Sequence, residues 1–190
     1  MRADAKKNYE RLLATAREAV AEHGADASLR DIARRANVGL GTLYRHFPTR
    51  EALLEALLRV NLDELTRQAE QLETSDTPDV ALTSWFRAGL AFTRTYGGIV
   101  SLMAAALEDP DSALHKSCTN VRSAGARLLQ RAQAKGLARV DIDGTDLFAL
   151  MGALAWLGDQ SAFARRVDHL SEVIANAFLI DPSGPVRGRR

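Results

Sequence analysis

Proline placement is the feature of this sequence that most restricts its fold. The five prolines stand at positions 48, 78, 110, 182 and 185, which leaves long stretches without proline. Because proline inside a helix removes a backbone donor and clashes with the preceding turn, only these stretches can be helical. They are rich in helix formers, since the chain has 32 alanines and 26 leucines against 10 valines and 5 isoleucines. The sequence therefore predicts an all-α fold and excludes an all-β one.

Apolar spacing and glycine positions divide these stretches into helices. We expect a first helix over residues 6–23, ended by Gly24, and two short helices within 29–47. Thr77 as N-cap and Pro78 at the first helical position predict the start of another helix. The longer helices are predicted over 49–74, 78–96, 99–107, 112–135, 145–162 and 166–180. Residues 181–190, with two prolines and three arginines, are expected to be a disordered tail.

Composition excludes several classes of protein. Apolar residues make up 46% and charged residues 26% of the 190 residues, which is typical of globular chains. The single cysteine, Cys118, excludes an intrachain disulfide framework and is typical of a reducing compartment. No apolar run reaches the roughly 18 residues of a membrane span, and no signal peptide is evident at the N-terminus. We expect a cytoplasmic protein without membrane contact.

The distribution of charge is more informative than its total. The net charge is +1. Residues 1–50 hold 10 Lys and Arg against 6 Asp and Glu, a net charge of +4, whereas residues 51–190 hold 15 against 18, a net charge of −3. A basic end on an acidic body is the asymmetry expected when one end contacts a polyanion such as DNA.

Residues 28–47 have the pattern of a helix-turn-helix unit. Ser28 with Asp31 three residues later resembles a capping box. Asn37 stands where the chain needs a left-handed residue between two short helices, and Leu43 and Phe47 fall on the inner side of the second helix. The apolar stripe of the first short helix consists of Leu29, Ile32, Ala33 and Ala36. In such a unit the second helix can enter the major groove of DNA.

The outer side of the second short helix carries groups that can bind phosphate. Thr42, Tyr44 and His46 can donate hydrogen bonds, although single residues of these types are commonly surface residues without a role. Thr49 caps the following helix, whose free N–H groups form an anion site together with Arg50. Gly39 and Gly41 stand near the start of the second short helix and lower its stability. They are explained either by close approach of the backbone to DNA or by fraying of a marginal helix.

These segments together resemble the DNA-binding domain of the TetR family of transcriptional regulators, over about residues 8–58. The resemblance rests on Ser-Leu-Arg-Asp-Ile-Ala at 28–33 and Gly-Thr-Leu-Tyr-Arg-His-Phe-Pro-Thr-Arg-Glu-Ala-Leu at 41–53. The sequence departs from the family pattern at two places. Asn37 replaces the usual glycine, and Gly39-Leu40 replaces a Ser or Thr followed by a polar or basic residue. At the second place Leu40 can contact a thymine methyl group where the family has a polar side chain. The DNA-binding residues that the resemblance implies are Ser28, Arg30, Gly39, Leu40, Gly41, Thr42, Tyr44, Arg45, His46, Thr49 and Arg50.

The family resemblance implies a DNA-binding domain over 1–50 and a helical effector-binding and dimerisation domain over 51–180. Aromatic and small residues at helical spacing could line an apolar pocket there, with Arg122, Asp159 or His115 fixing a polar group of the ligand. The candidate effector-binding residues are Trp85, Phe92, Tyr96, Met103, Cys118, Arg122, Phe148, Trp156 and Asp159. The alternatives are that the aromatic stripe is core, that Arg122 pairs with Asp159, and that Cys118 is a buried thiol.

The last two long helices are apolar over broad faces, and in the TetR family such helices form a dimeric four-helix bundle. We expect the homodimer interface at Leu147, Leu150, Met151, Leu154, Leu157, Leu170, Val173, Ile174, Ala177 and Phe178. A twofold dimer also matches a palindromic operator in double-stranded DNA. A monomer that packs these faces internally is the alternative.

The function expected is that of a DNA-binding transcriptional regulator, a repressor that a small-molecule effector releases by tilting helix 49–74. The alternative is a DNA-binding or architectural protein without an effector, which a fully packed C-terminal domain would favour. No P-loop, Gly-x-Ser-x-Gly or His-Glu-x-x-His motif occurs, and the four histidines are scattered. We therefore expect no enzymatic activity, catalytic residue, metal or cofactor.

Overall fold

The computed structural model describes residues 2–24, 27–96 and 99–180, and within these ranges it contains nine α-helices. They are α1 Arg2–His23, α2 Leu29–Arg35, α3 Leu40–His46, α4 Arg50–Leu72, α5 Pro78–Thr95, α6 Val100–Glu108, α7 His115–Ala134, α8 Gly144–Asp159 and α9 Val167–Ala177. A 3-10 turn, Ala164–Arg166, precedes α9. The predicted all-α fold is confirmed, and the predicted tail 181–190 lies outside the described residues.

Helix ends differ from the sequence prediction where local capping decides them. The predicted helix 112–135 begins only at His115, because the N–H groups of Leu114 and His115 donate to Ser112 in a preceding turn. Helix α8 begins after Asp143, which forms a full capping box with Asp146 that the sequence analysis missed. Thr77 stands at the N-cap of α5 as predicted, but its side chain makes no capping hydrogen bond.

Helices α1, α2 and α3 form a small head around buried apolar side chains. Leu43 and Phe47 are buried in it, as predicted. Asn37 has a φ of 51°, which confirms the left-handed residue between α2 and α3. Ser28 Oγ accepts a hydrogen bond from the Asp31 N–H at 3.4 Å, whereas the Asp31 carboxylate pairs with arginines of its own helix. Only half of the predicted capping box is therefore formed.

Helix α4 leaves the head and runs into the C-terminal body, where it packs against α5 and α7. Trp85 of α5 is 1% exposed, and its indole N–H donates to the Leu65 carbonyl of α4 at 2.9 Å. Gly125 of α7 allows this contact, because a Cβ there would lie 2.5 Å from Trp85 Cη2. The close packing of α4, α5 and α7 thus depends on one large and one minimal side chain.

Helix α9 is held against the body along its length. The rings of Phe86 and Phe178 meet edge to face with centroids 4.8 Å apart, and Arg87 Nη2 pairs with Glu172 Oε2 at 2.7 Å. Beyond α9, Leu179 forms a single antiparallel bridge with Ala138, which follows α7. Across the described ranges, no helix is both long and apolar enough to cross a membrane.

Candidate functional site

The outer surface of α3 has the open geometry that contact with another molecule requires. Tyr44 is 45% exposed, and Thr42 is half-buried beside it. A Cβ at Gly41 would meet nothing within 4 Å, and one at Gly39 would meet only Thr42 Oγ1 at 3.9 Å. Neither glycine has a positive φ. Neither sterics within the chain nor backbone conformation therefore requires glycine at these two positions, and both leave room for an outside molecule to approach the backbone.

Some cationic side chains near α3 form ion pairs with acidic residues of the head, and others do not. Arg35 donates to Glu22 at 2.8 Å, and Arg34 pairs with Asp31, whose pKa lies below its ordinary value chiefly because of the hydrogen bond from Arg34. Arg30 and Arg45 are exposed, and no hydrogen bond or ion pair holds either one to the described part of the chain. These two guanidinium groups are therefore available to phosphates.

Three of the predicted DNA-binding residues have contacts within the protein that the sequence did not indicate. Leu40 is partly buried against the core of the head. The His46 ring lies against Tyr9 with centroids 5.8 Å apart. Arg50 Nη1 donates to the Ala27 carbonyl at 2.7 Å, so this side chain ties the start of α4 to the start of α2. Arg50 thus has a structural role that the sequence did not predict.

The two predicted capping residues of this surface are confirmed as caps. Ser28 is exposed at the N-cap of α2, and Thr49 Oγ1 accepts from the Ala52 N–H at 3.1 Å at the N-cap of α4. A serine or threonine hydroxyl at an N-cap keeps a lone pair and its proton, so both can still contact a phosphate. The predicted DNA-binding residues thus lie at or beside α3 and the starts of its two neighbouring helices.

A cavity of about 430 Å³ lies in the C-terminal body between α4, α5, α6, α7 and α8. Its volume is within the range of small-molecule sites, roughly 300–1,000 Å³. Among the described residues, its walls are apolar apart from Thr93, Arg122 and Thr145. The lining residues are Leu62, Leu65, Gly89, Phe92, Thr93, Val100, Met103, Ala104, Leu107, Val121, Arg122, Thr145, Phe148, Ala149, Met151, Gly152, Ala153 and Trp156.

Five of the nine predicted effector-binding residues line this cavity. They are Phe92, Met103, Arg122, Phe148 and Trp156. Trp156 is 56% exposed, so this part of the lining reaches the protein surface. The hydroxyl-bearing Thr93 and Thr145 were not predicted, because helical periodicity identifies apolar stripes and gives no signal for an isolated threonine beside one.

The other four predicted effector-binding residues lie elsewhere. Trp85 and Tyr96 are core residues, held by the Leu65 carbonyl and the Asn61 amide respectively. Cys118 is fully buried, which raises the pKa of its thiol to about 11, and Asp159 is exposed at the end of α8. The core alternative therefore holds for these aromatic residues and for the thiol. His115, considered as a ligand contact, instead places Nδ1 2.9 Å from the Ala106 carbonyl.

The predicted dimer face is partly internal. Leu147, Met151, Leu154 and Phe178 are at most 5% exposed within a single chain, so they belong to its core and offer almost no surface to a second copy. Helix α8 is apolar on several sides, and its inner side packs on α5 and α7. The predicted residues that keep exposed surface are Leu150, Leu157, Leu170, Val173, Ile174 and Ala177.

Both parts of the chain match known protein families. Residues 12–57 match "Bacterial regulatory proteins, tetR family", and residues 77–176 match "Transcriptional regulator SbtR-like, C-terminal domain". The HTH-type transcriptional regulator SAR0097 of Staphylococcus aureus is 35% identical over 79 residues, which are 40% of this chain and 41% of that protein. UidR of Escherichia coli, also an HTH-type transcriptional regulator, is 28% identical over 147 residues, which are 75% of each chain.

A solved structure resembles the whole chain. The TetR transcriptional regulator SCO0520 of Streptomyces coelicolor is 31% identical, with a TM-score of 0.66, and the alignment covers 93% of this chain and 99% of that one. The head with its exposed α3, the helical body and both family matches lead to one identification. The chain belongs to the TetR family of bacterial regulators and is a DNA-binding transcriptional regulator.

Proposed function

We propose that this regulator is a repressor that a small molecule, bound in the cavity of the C-terminal body, releases from DNA. The observation that carries the proposal is the extent of α4, one helix of 23 residues. At its start Thr49 caps the helix beside α3, and Leu53 is buried in the continuous core. Further along, Leu62 and Leu65 form part of the cavity wall. A ligand that displaces this wall therefore moves the helix on which the head is mounted.

Polar contacts hold α4 in its present position beside the cavity. The Asn61 amide donates to the Tyr96 hydroxyl at 3.1 Å, and the Ser117 hydroxyl donates to Asp63 Oδ1 at 2.7 Å. These contacts join α4 to the end of α5 and to α7. A ligand shifts the position of α4 only if it binds one arrangement of these helices more tightly than the other. We propose that it favours an arrangement in which the heads no longer match DNA.

The regulator acts, in this proposal, as a homodimer on a palindromic operator in the cytoplasm. The predicted interface residues of α8 and α9 that keep exposed surface form the contact between copies, among them Val173 at 50% exposure. A twofold dimer places two α3 helices in major grooves about 34–36 Å apart on double-stranded DNA. Residues 1–50 read the operator, and residues 51–180 provide the cavity and the dimer contact.

DNA selection from a random pool tests this function, because such a selection does not require a known operator sequence. We expect the purified protein to enrich a palindrome whose half-sites lie about one helical turn apart. The wild type is expected to be a dimer by light scattering, and Val173→Asp is expected to be monomeric with weakened binding to that palindrome. Val80→Asp is the matched control, since Val80 lies on α5 and is 53% exposed. Enrichment of single half-sites, or a dimer that survives Val173→Asp, would contradict the dimeric arrangement.

If the protein bound DNA without an effector, its C-terminal body would be expected to be fully packed. The cavity of about 430 Å³ speaks against it. Replacing Gly152 by Phe fills this space from α8, because a Cβ at Gly152 meets only Val100 Cγ1 at 3.6 Å. If the regulator is ligand-released, this variant binds the selected operator but no longer responds to a ligand that releases the wild type. An unchanged response would place the ligand outside the cavity.

A further inference from the structure

We propose that the ligand of the cavity is an apolar molecule with one carboxylate or similar anionic group, and that Arg122 binds this group. The inference rests on the proposed function, in which the cavity is the effector site. It extends that function by naming the chemical class of the effector and the residue that selects it.

The lining of the cavity restricts most of the ligand to apolar surface. Among the described residues, Arg122 is the one charged side chain on its walls. Phe92, Phe148 and Trp156 supply three aromatic rings. No Asp, Glu, Asn or Gln is present among the lining residues. A cationic head group would thus meet no carboxylate among the described lining residues and would be repelled by the guanidinium.

Arg122 has no partner side chain among the described residues, unlike Arg87 and Arg127 of the same body. Arg87 binds Glu172 with two hydrogen bonds, and Arg127 Nε donates to Glu73 at 2.6 Å. Arg122, by contrast, makes no hydrogen bond or ion pair with any described residue, although it is only partly exposed. A guanidinium offers five N–H donors in a planar fork that matches a carboxylate. Because this guanidinium stands on the wall of an apolar space, an anionic ligand would receive charge-assisted hydrogen bonds from donors that no described protein group uses.

The neighbouring carboxylate of Asp143 does not take the place of such a ligand. Its Oδ1 accepts from the N–H groups of Thr145 and Asp146, at 2.7 and 3.1 Å, as the N-cap of α8. These backbone bonds are the main reason that the pKa of Asp143 lies below its ordinary value, and the charge of Arg122 contributes. Asp143 is therefore charged, lies near Arg122 and leaves the fork of Arg122 open. Its charge disfavours a second anionic group on the ligand, so we infer a monoanion.

The hydroxyl groups of the cavity are weak competitors for a polar head group. Thr93 Oγ1 already donates to the Leu90 carbonyl at 2.9 Å, so its proton is used within α5. Thr145 stands in the first turn of α8, and its hydroxyl is engaged by the Asp143 carboxylate. A neutral amide or alcohol can bind the apolar walls but gains little from these groups. Discrimination between a carboxylate and its neutral analogue therefore depends on Arg122.

Calorimetric titration with a matched pair of probes tests this inference. The probes are naphthalene-2-carboxylate and naphthalene-2-carboxamide, which share an aromatic body and differ in charge. We expect the wild-type chain to bind the carboxylate at least tenfold more tightly than the amide. Arg122→Gln is expected to weaken carboxylate binding at least tenfold and leave amide binding unchanged, whereas Arg122→Lys retains part of the preference. Arg165→Gln is the control, since Arg165 is exposed outside the cavity.

Each outcome decides for or against the anionic ligand. Equal binding of the two probes by the wild type, absence of carboxylate binding, or an equal effect of Arg122→Gln on both probes overturns it. If Arg122→Gln does not fold, the comparison of the two probes on the wild type and on Arg122→Lys still decides.

The same probes, added to the complex with the selected operator, separate this inference from the proposed function. Release by both probes alike supports a ligand-released repressor but overturns the anion preference. Carboxylate binding that requires Arg122 and does not release DNA supports the anion site but contradicts the mechanism through α4.

Discussion

The substitution Gly125→Ala gives the most sensitive test of the packing that joins the head-bearing helix to the body. A Cβ at this position would lie 2.5 Å from Cη2 and 2.6 Å from Cζ3 of Trp85. The indole is 1% exposed and is fixed by its hydrogen bond to the Leu65 carbonyl, so it cannot move aside freely. The alanine would therefore push α7 away from α5 or break the contact between α5 and α4.

The expected loss of stability follows from three opposing contributions. Overpacking of a core costs about 1–3 kcal/mol, and a rigid, buried indole places this site near the upper end. Loss of the indole hydrogen bond adds about 1 kcal/mol, and the better helix propensity of alanine returns about 1 kcal/mol. We expect the free energy of unfolding to fall by about 2–3 kcal/mol. For a chain of this size, this lowers Tm by roughly 4–12 °C.

Gly152→Ala is the matched control, because it makes the same change in a helix interior without a clash. A Cβ at Gly152 would meet only Val100 Cγ1 at 3.6 Å, which is ordinary contact. This variant is expected to gain up to about 1 kcal/mol from helix propensity. Thermal and urea unfolding followed by circular dichroism, at one fixed protein concentration, measure both variants. A Gly125→Ala variant as stable as Gly152→Ala would refute the tight contact of α7 with Trp85.

Three further predictions concern single residues. Tyr44→Ala is expected to weaken binding to the selected operator and to unrelated DNA alike, without changing Tm. Arg50→Gln is expected to lower both DNA affinity and Tm, because it also loses the bond to the Ala27 carbonyl. Gel shifts measure the affinities, and thermal unfolding measures Tm. Asn37→Ala is expected to destabilise the head by about 1 kcal/mol, and Asn37→Gly to be neutral or stabilising, because φ is 51° there; an equal Tm for the two variants would contradict this. Burial raises the pKa of the Cys118 thiol to about 11, so the thiol is expected to react with a thiol reagent at pH 8 only when urea unfolds the protein. The thiol of the unfolded chain ionises at a lower pH than that of the folded chain. The free energy of unfolding is therefore expected to fall as the pH rises from about 9 towards 11.

The head was predictable because its determinants are local in sequence. Asn37, Leu43, Phe47 and Thr49 each have a role that follows from their own position in a short helix, turn or cap, and the structure gives them those roles. The second role of Arg50 was not predictable. Its bond to the Ala27 carbonyl joins residues 23 positions apart, and no spacing rule indicates which distant carbonyl a guanidinium reaches.

The assignment of helix faces in the body could be predicted only in part. Helical spacing places Trp85, Gly89, Phe92 and Tyr96 on one stripe, yet the structure puts Trp85 and Tyr96 in the core and Phe92 at the cavity. A stripe shows that residues share a face and leaves open what the face contacts. Helix α8 is the harder case, because it is apolar towards the core, the cavity and the solvent at once. Its residues divide among three environments that only the packing of the other helices distinguishes.

The fastening of α9 has a mechanical consequence for the whole regulator. Its first turn is tied to α5 by the Arg94–Asp168 pair, and its middle by the Arg87–Glu172 pair. Its far end is tied to the turn after α7, where the Arg139 N–H donates to the Phe178 carbonyl and the Ile180 N–H donates to the Leu137 carbonyl. If a ligand acts through α4 as proposed, these ties oppose a displacement of α9. The displacement is then expected on the side of α4, which packs against α1 of the head, and a small shift within the body would become a larger swing of α3 at the far end of that helix.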